Sequence, residues 1–303
     1  MRKTITLFEN LRAVPYTPFY FTIARGDWAR EGIDVRVETS PAMSQTAEAL
    51  LDGRADVSWG GPMRVMTYHD KDPECPLVCF GQVVARDPFI LVGREPNKHF
   101  RFQDLAGLKV AVAEEAPTPW LTFQDDLGRA GFPPDRLKRT PDQPMADNVA
   151  ALRAGEIDVV QVFEPYAEQL ATEGTGHIWH RFAERGDIAY TSFYTTKAFA
   201  KRQRKTCRAL VRGIGRAQIA LHSTPANEVA KAICEFFPEL TQRRLSRMIS
   251  GYRKSGLWAK TPALPPAAFT RLKAALLSGE LIERDIPYDN AVDARLSNTK
   301  IDD

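Results

Sequence analysis

The residues best suited to holding a small molecule cluster where apolar runs end. Asn10, Tyr16 and Phe19 follow the run 4–8, and Trp59, Gly60 and Gly61 close the run 55–59. Gln82 follows the next apolar stretch. Glu114, Thr118 and Trp120 follow 110–112, and Glu164 follows 159–163. Tyr16, Phe19, Trp59 and Trp120 could sandwich a flat ring by offset stacking, or equally pack as core. The Glu164 carboxylate could accept from an amino group or pair with a cation; a solvated helix cap is the plainer alternative. Thr118 opens a helix whose first amides suit an anion. Glu114 and Glu115 put negative charge at that same end, and the nearest cations, Arg64 and Arg86, read more simply as surface residues. The balance favours a neutral or amine-bearing heterocycle, pyrimidine-like, over nitrate or a simple sulfonate.

Other chemistries have weaker support. The four cysteines, Cys75, Cys79, Cys207 and Cys234, are too few for a disulfide scaffold, and Cys75 with Cys79 makes half a metal site at best. None has an apparent base or cation beside it to make a thiolate nucleophile. His177 and His180 follow Gly174 and Gly176, which suits a loop or strand better than a metal-binding helix. Gly213-Ile214-Gly215 lacks the third glycine of a dinucleotide fingerprint. Lys201, Arg202, Arg204, Lys205 and Arg208 form a solvated basic face that could dock an acidic partner, but it lacks the interleaved aromatics of a nucleic-acid site. No cofactor and no metal are expected.

The 303 residues suit two domains or lobes. With 41 Lys+Arg against 38 Asp+Glu, the net charge of +3 is too even for a dedicated nucleic-acid binder. A chain 44% hydrophobic and 26% charged is an ordinary globular one. No apolar run reaches the roughly 18 residues of a membrane span. No signal peptide is visible, so the expectation is a cytoplasmic protein, or a periplasmic one whose leader was removed before numbering.

Strands are expected at 4–8, 33–37 and 55–59, with a helix from Thr17 to Gly32 and another at 46–51 closed by Gly53. A second copy of the order follows: strand 108–113, helix 119–130, helix 146–154 closed by Gly155, strand 157–163. Ala49-Leu50, Gly53 and Asp56-Val57 match Ala151-Leu152, Gly155 and Asp158-Val159 at a constant offset of about a hundred residues. Two similar α/β units predict a bilobed protein with mostly parallel sheets, a cleft between lobes, and crossovers at 88–92 and 188–194. Beyond Thr196 helices are expected at 227–237, 241–254 and 266–277, with Leu210, Ile214, Ala217 and Leu221 on one face of an earlier one. A polar tail follows Leu281.

This pattern resembles the solute-binding proteins of ABC importers for nitrate, sulfonates, taurine and thiamine-pyrimidine precursors. The matching pieces are residues 18–26 and 28–37, Leu51-Asp52-Gly53-Arg54-Ala55-Asp56-Val57, Asp104 to Val110, Leu152 to Asp158, and Glu164-Pro165. The resemblance implies a type II periplasmic-binding fold. Residues 1–88 plus 195–303 would form lobe one and 89–194 lobe two, and the lobes would close on ligand by hinge motion. It further implies a monomer that delivers a small molecule to an ABC permease, without membrane insertion and without nucleic acid. The same superfamily holds a pyrimidine-precursor synthase and an aryl sulfinate desulfinase. The synthase carries a cysteine cluster on the return crossover, where residues 187–196 have none. The desulfinase needs a cysteine near the first helix, where Arg25, Gly26 and Asp27 stand. An enzyme on this fold and a cytoplasmic ligand sensor are the alternatives.

Overall fold

A computed structural model describes residues 2–42 and 45–301. Its strands are β1 Lys3–Glu9, β2 Ile33–Thr39, β3 Val57–Gly60, β4 Leu77–Val84, β5 Ile90–Gly93, β6 Lys109–Ala111, β7 Lys138–Arg139, β8 Val159–Val162, β9 His177–Arg181 and β10 Thr191–Thr196. Its helices are α1 Thr17–Arg25, α2 Asp27–Arg30, α3 Gln45–Leu51, α4 Pro62–Lys71, α5 Pro117–Arg129, α6 Met145–Ala154, α7 Tyr166–Glu173, α8 Lys197–Arg202, α9 Arg204–Ser223, α10 Ala226–Ile233, α11 Gln242–Lys254, α12 Pro266–Ser278, α13 Tyr288–Ala291 and α14 Ala294–Ser297.

The strands form two five-stranded sheets of one design, in the orders β2-β1-β3-β10-β4 and β7-β6-β8-β5-β9. In each, the first three strands are parallel and the fourth runs antiparallel to both neighbours. Each sheet is therefore mixed but mostly parallel: four strands run one way, and only β10 in the first sheet and β5 in the second run against them. The reason lies in the crossovers: β5 and β10 are the strands by which the chain arrives from the other lobe, and each inserts on arrival. Thr191–Thr196 is a full member of the first sheet, so the chain has returned before residue 191, earlier than the boundary at 194 expected from sequence.

The repeated Gly-x-x-Asp acquires a physical meaning. Gly53 and Gly155 adopt left-handed φ of 78° and 73°, turning each chain from its helix back to the sheet. Asp56 then donates its N–H to the Thr6 carbonyl and accepts the Thr6 N–H on its carboxylate, both at 2.9 Å. Asp158 does the same with Lys109, at 3.0 and 2.9 Å. The aspartate side chain extends the parallel ladder by one bond and fixes the register of β3 and β8 in their sheets.

The first sheet is covered on one face by α1, α9, α10 and α11, with Leu210, Ile214, Ala217 and Leu221 fully buried in that layer. Its other face carries α3, α4 and α12. The segment beyond Leu281 is not a polar tail: Ile282, Ile286, Val292 and Leu296 are buried, and Val292 bridges Cys79 at the edge of β4. The expected first helix is broken at Gly26, whose φ of 70° ends α1 before α2 begins. Thr17 is not its cap, since the hydroxyl donates to the Val14 carbonyl. No helix among the described residues is long and apolar enough to cross a membrane.

Both crossovers are tied together by a buried ionic knot. Arg185, 4% exposed, sits between Asp87 and Asp126, pairing with each. Asp87 also accepts the Phe89 N–H at 2.8 Å and the Thr122 hydroxyl at 3.2 Å. Removing the cation would strand two carboxylates in low dielectric, so Arg185→Gln should cost about 3–5 kcal/mol of unfolding free energy in urea titration. Arg54→Gln, which breaks only the exposed Asp52 pair, should leave the urea midpoint nearly unchanged. Equal losses would show that the knot is not a structural anchor.

Candidate functional site

Where the lobes meet, the ends of β1, β3, β6 and β8 and both crossovers enclose a narrow cavity of about 60 Å³. Lobe one contributes Asn10, Leu11, Ala13, Pro15, Tyr16, Gly61, Met63 and Arg64. Lobe two contributes Glu115, Ala116, Thr118, Pro119 and Phe163, and the crossovers Pro88, Phe89, Tyr190 and Thr191. The lining is largely apolar with a few convergent polar groups, the composition of a small-molecule site.

The residues expected from sequence divide. Asn10, Tyr16, Gly61 and Thr118 line the cavity. Phe19 and Trp59 do not. Both are fully buried and stacked at 4.0 Å between ring centroids, 15° from parallel, behind Tyr16. The central strand β3 is buried on both faces, which leaves Trp59 no route to the cleft. Gly60 is also a layer back: a Cβ there would come within 2.6 Å of the Asn10 amide and 3.1 Å of an Arg64 nitrogen, so glycine makes room for both. Gln82 faces away, donating to the Ile188 carbonyl while its own carbonyl accepts from Gln218. Glu114 is exposed, because β6 ends at Ala111 and the next turn points it outward. Trp120 lies on the outer side of α5 with the Arg139 guanidinium 4.7 Å above its ring.

Glu164 is buried outside the cavity, on the seam between α7 and α11. It accepts the Glu168 N–H at 2.7 Å, capping α7, and its peptide to Pro165 is cis. The same seam bridges the lobes. Glu168 on α7 pairs with Arg244, at 2.9 Å, and Arg247 on α11. The Tyr252 hydroxyl accepts the Glu164 N–H at 2.9 Å and donates to the Pro88 carbonyl at 3.2 Å.

Sequence reasoning undervalued Arg64. It occupies the first turn of α4, which begins with Pro62 directly at the end of β3, so the turn projects into the cleft. Arg64 is 9% exposed, and among the described residues no carboxylate lies within ion-pairing distance and no hydrogen bond engages its guanidinium. Phe89, Phe163 and Tyr190 were also missed; the signal for Phe89 and Tyr190 was their place on the crossovers, which necessarily floor a two-lobed cleft. Burial pushes the Tyr16 hydroxyl up, with the Arg64 charge and the Asn10 and Thr191 side chains opposing. Tyr190 is raised well above its ordinary value by burial and then by the Asp87 charge. Both phenols are therefore neutral at physiological pH. Asn10 Oδ1, Tyr190 OH and Glu115 Oε2 are buried without a partner among the described residues.

With this geometry in place, the pattern of the NMT1-like family matches residues 11–236. The chain belongs to the NMT1-like family. Bacillus subtilis (strain 168) YtlA is 25% identical over 296 residues, spanning 97% of this chain and 88% of that one. In fold, the chain matches the periplasmic aliphatic sulphonate binding protein SsuA of Escherichia coli with a TM-score of 0.77 at 14% identity, covering 99% of this chain and 100% of that one. It matches the desulfurization enzyme DSZB with a TM-score of 0.70 at 14% identity, over 98% of each chain. The two-lobed periplasmic-binding fold expected from the motifs is thus the fold of this family member.

Glu164 yields a pH prediction. Burial first, then the Glu168 charge, raise its carboxyl to about 7 from 4.5, against the helix-capping bond and Arg181 and Arg244. A raised folded value means that the folded state holds the proton more tightly. That stabilisation is complete below about pH 4.5 and is lost as pH rises through 7. Over that window the Glu164 contribution should fall by up to about 3 kcal/mol. Urea titrations at pH 5 and pH 8 should show this loss in the wild type and a much flatter profile in Glu164→Gln; parallel profiles would refute the assignment.

Proposed function

We propose that this protein is the ligand-capturing component of an ABC importer, working on the outer face of the membrane, and that its ligand is a small organic anion with a flat apolar body. The observation that carries this is Arg64. A buried guanidinium without a counter-charge is costly, and a ligand carboxylate, sulfonate or similar oxyanion would offset that cost through paired, charge-assisted hydrogen bonds. The N-terminal end of α4, with Gly61 and Met63 also on the wall, adds its partial positive charge.

This moves the ligand away from the neutral or amine-bearing heterocycle favoured by the sequence alone. That expectation rested on Glu114 and Glu115 standing unopposed at the start of α5. Glu114 is exposed, and Arg64 brings an unpaired positive charge to the same cavity from lobe one. Helix α5 is itself a poor anion seat, because Pro117 and Pro119 remove two of its first three amide donors. The anionic group therefore belongs against lobe one. Tyr16, Phe89, Phe163 and Tyr190 would enclose the body.

The relatives support the class. YtlA carries a provisional name as a binding protein, SsuA of Escherichia coli is named for aliphatic sulphonates, and another fold neighbour, NrtA of Synechocystis, for nitrate. DSZB shows that this fold also hosts enzymes, but the four cysteines of this chain lie outside the cavity lining. In the transport reading the ligand touches both lobes, favours the closed state by that differential contact, and the permease receives the closed form.

Native mass spectrometry of the purified protein, followed by release and mass analysis, tests this directly. A stoichiometric organic acid should be found in the wild type and lost from Arg64→Gln, whose affinity should fall by about 30-fold or more, given 2–5 kcal/mol for truncating one partner of a buried charge pair. A molecule with no acidic group, a chemically converted one, or undiminished binding by Arg64→Gln would overturn the reading.

A further inference from the structure

The cavity carries a second uncompensated charge, on the opposite lobe. Glu115 accepts the Met145 N–H on Oε1 at 2.8 Å, which fixes its carboxylate over the start of α6. That capping bond accounts for one oxygen. The other, Oε2, is buried with no hydrogen-bond partner among the described residues, and no cation pairs with Glu115. It does not pair with Arg64, although both line the same cavity. Glu115 also lines the wider space outside, which shares Asn10, Leu11, Ala13, Glu115 and Phe163 with the inner cavity. It therefore borders both spaces, on the lobe opposite Arg64.

We infer that the ligand is a zwitterion, or an anion with an N–H donor at its opposite end, and that Glu115 selects it by accepting from that end. This rests on the anion reading of Arg64 and adds the second pole. The chemistry is one of fixed complementarity: a buried carboxylate oxygen left unpaired penalises any ligand that desolvates it without donating to it. Sites built to bond a polar group reject analogues lacking it far more strongly than apolar pockets reject a missing methylene. The aromatic residues between the poles, Tyr16, Phe89, Phe163 and Tyr190, suit a ring as spacer.

The test uses three probes of one shape on the full chain by calorimetry: 4-(aminomethyl)benzoate, benzoate and benzylamine, with the sulfonate analogues of the first two alongside. The wild type should bind the zwitterion at least about 30-fold more tightly than the matching anion. In Glu115→Gln, which keeps an oxygen for Met145, that ratio should collapse toward one while the melting temperature holds. In Arg64→Gln both acids should lose affinity. A ratio near one in the wild type, a ratio unchanged in Glu115→Gln, or binding of none of the probes would overturn the inference. If Arg64→Gln weakens the acids while Glu115→Gln leaves their ratio alone, only this inference fails. If Arg64→Gln leaves them unaffected, the anion reading fails first.

Discussion

The arrangement depends on one ionic contact, Arg185 held between Asp87 and Asp126. Asp87 precedes the outgoing crossover, Arg185 precedes the returning one, and Asp126 belongs to α5 of the second lobe. Two chain segments about a hundred residues apart are thereby pinned at one point, where burial makes the pairing hard to give up piecemeal. Each crossover then runs straight into a sheet as its antiparallel fourth strand. The cavity floor, Pro88-Phe89 and Tyr190-Thr191, is the short stretch between knot and sheets. Its position follows from the knot on one side and the strand register on the other.

What the sequence made legible was the repeated, local chemistry. Gly53 with Asp56, and Gly155 with Asp158, announce a helix stop and a strand entry because the backbone needs a left-handed residue and then a carboxylate at the ladder end. Such needs are satisfied within a few residues, so they leave a spacing. The crossovers were recognisable as apolar runs, but their direction was not. Whether a strand joins parallel or antiparallel depends on which lobe it comes from, and no period in the residues records that.

The site was legible only in part, for the same reason. Tyr16, Phe19 and Trp59 read alike as aromatics near strand ends. Which one faces the cleft is decided by β3 lying at the centre of the sheet with α1 over it. Arg64 read as a surface cation because nothing local marks it as buried. Its burial comes in part from Gly60, where a Cβ would crowd its guanidinium. Glu164 looked like a ligand contact at a strand end and instead caps α7 beside the Arg244 and Arg247 bridge. A charge's role here depends on its partner, and the partners lie far away in sequence.

The placement of charge bears on when the lobes close. The α7–α11 seam bridges them with ion pairs that need no ligand, and part of their worth is lost to solvent because Arg247 is exposed and Arg244 partly so. Against that modest attraction stand Arg64, largely buried, and Glu115, with one buried oxygen unpartnered, neither in an ion pair among the described residues. An empty closed cleft therefore carries two desolvation penalties, and a ligand that meets only one pole leaves the other in force. A molecule presenting both complementary groups relieves both at once, and its differential affinity for the closed state is larger than either contact alone would give. On the proposed reading, discrimination and closure would arise from the same two groups, Arg64 and Glu115.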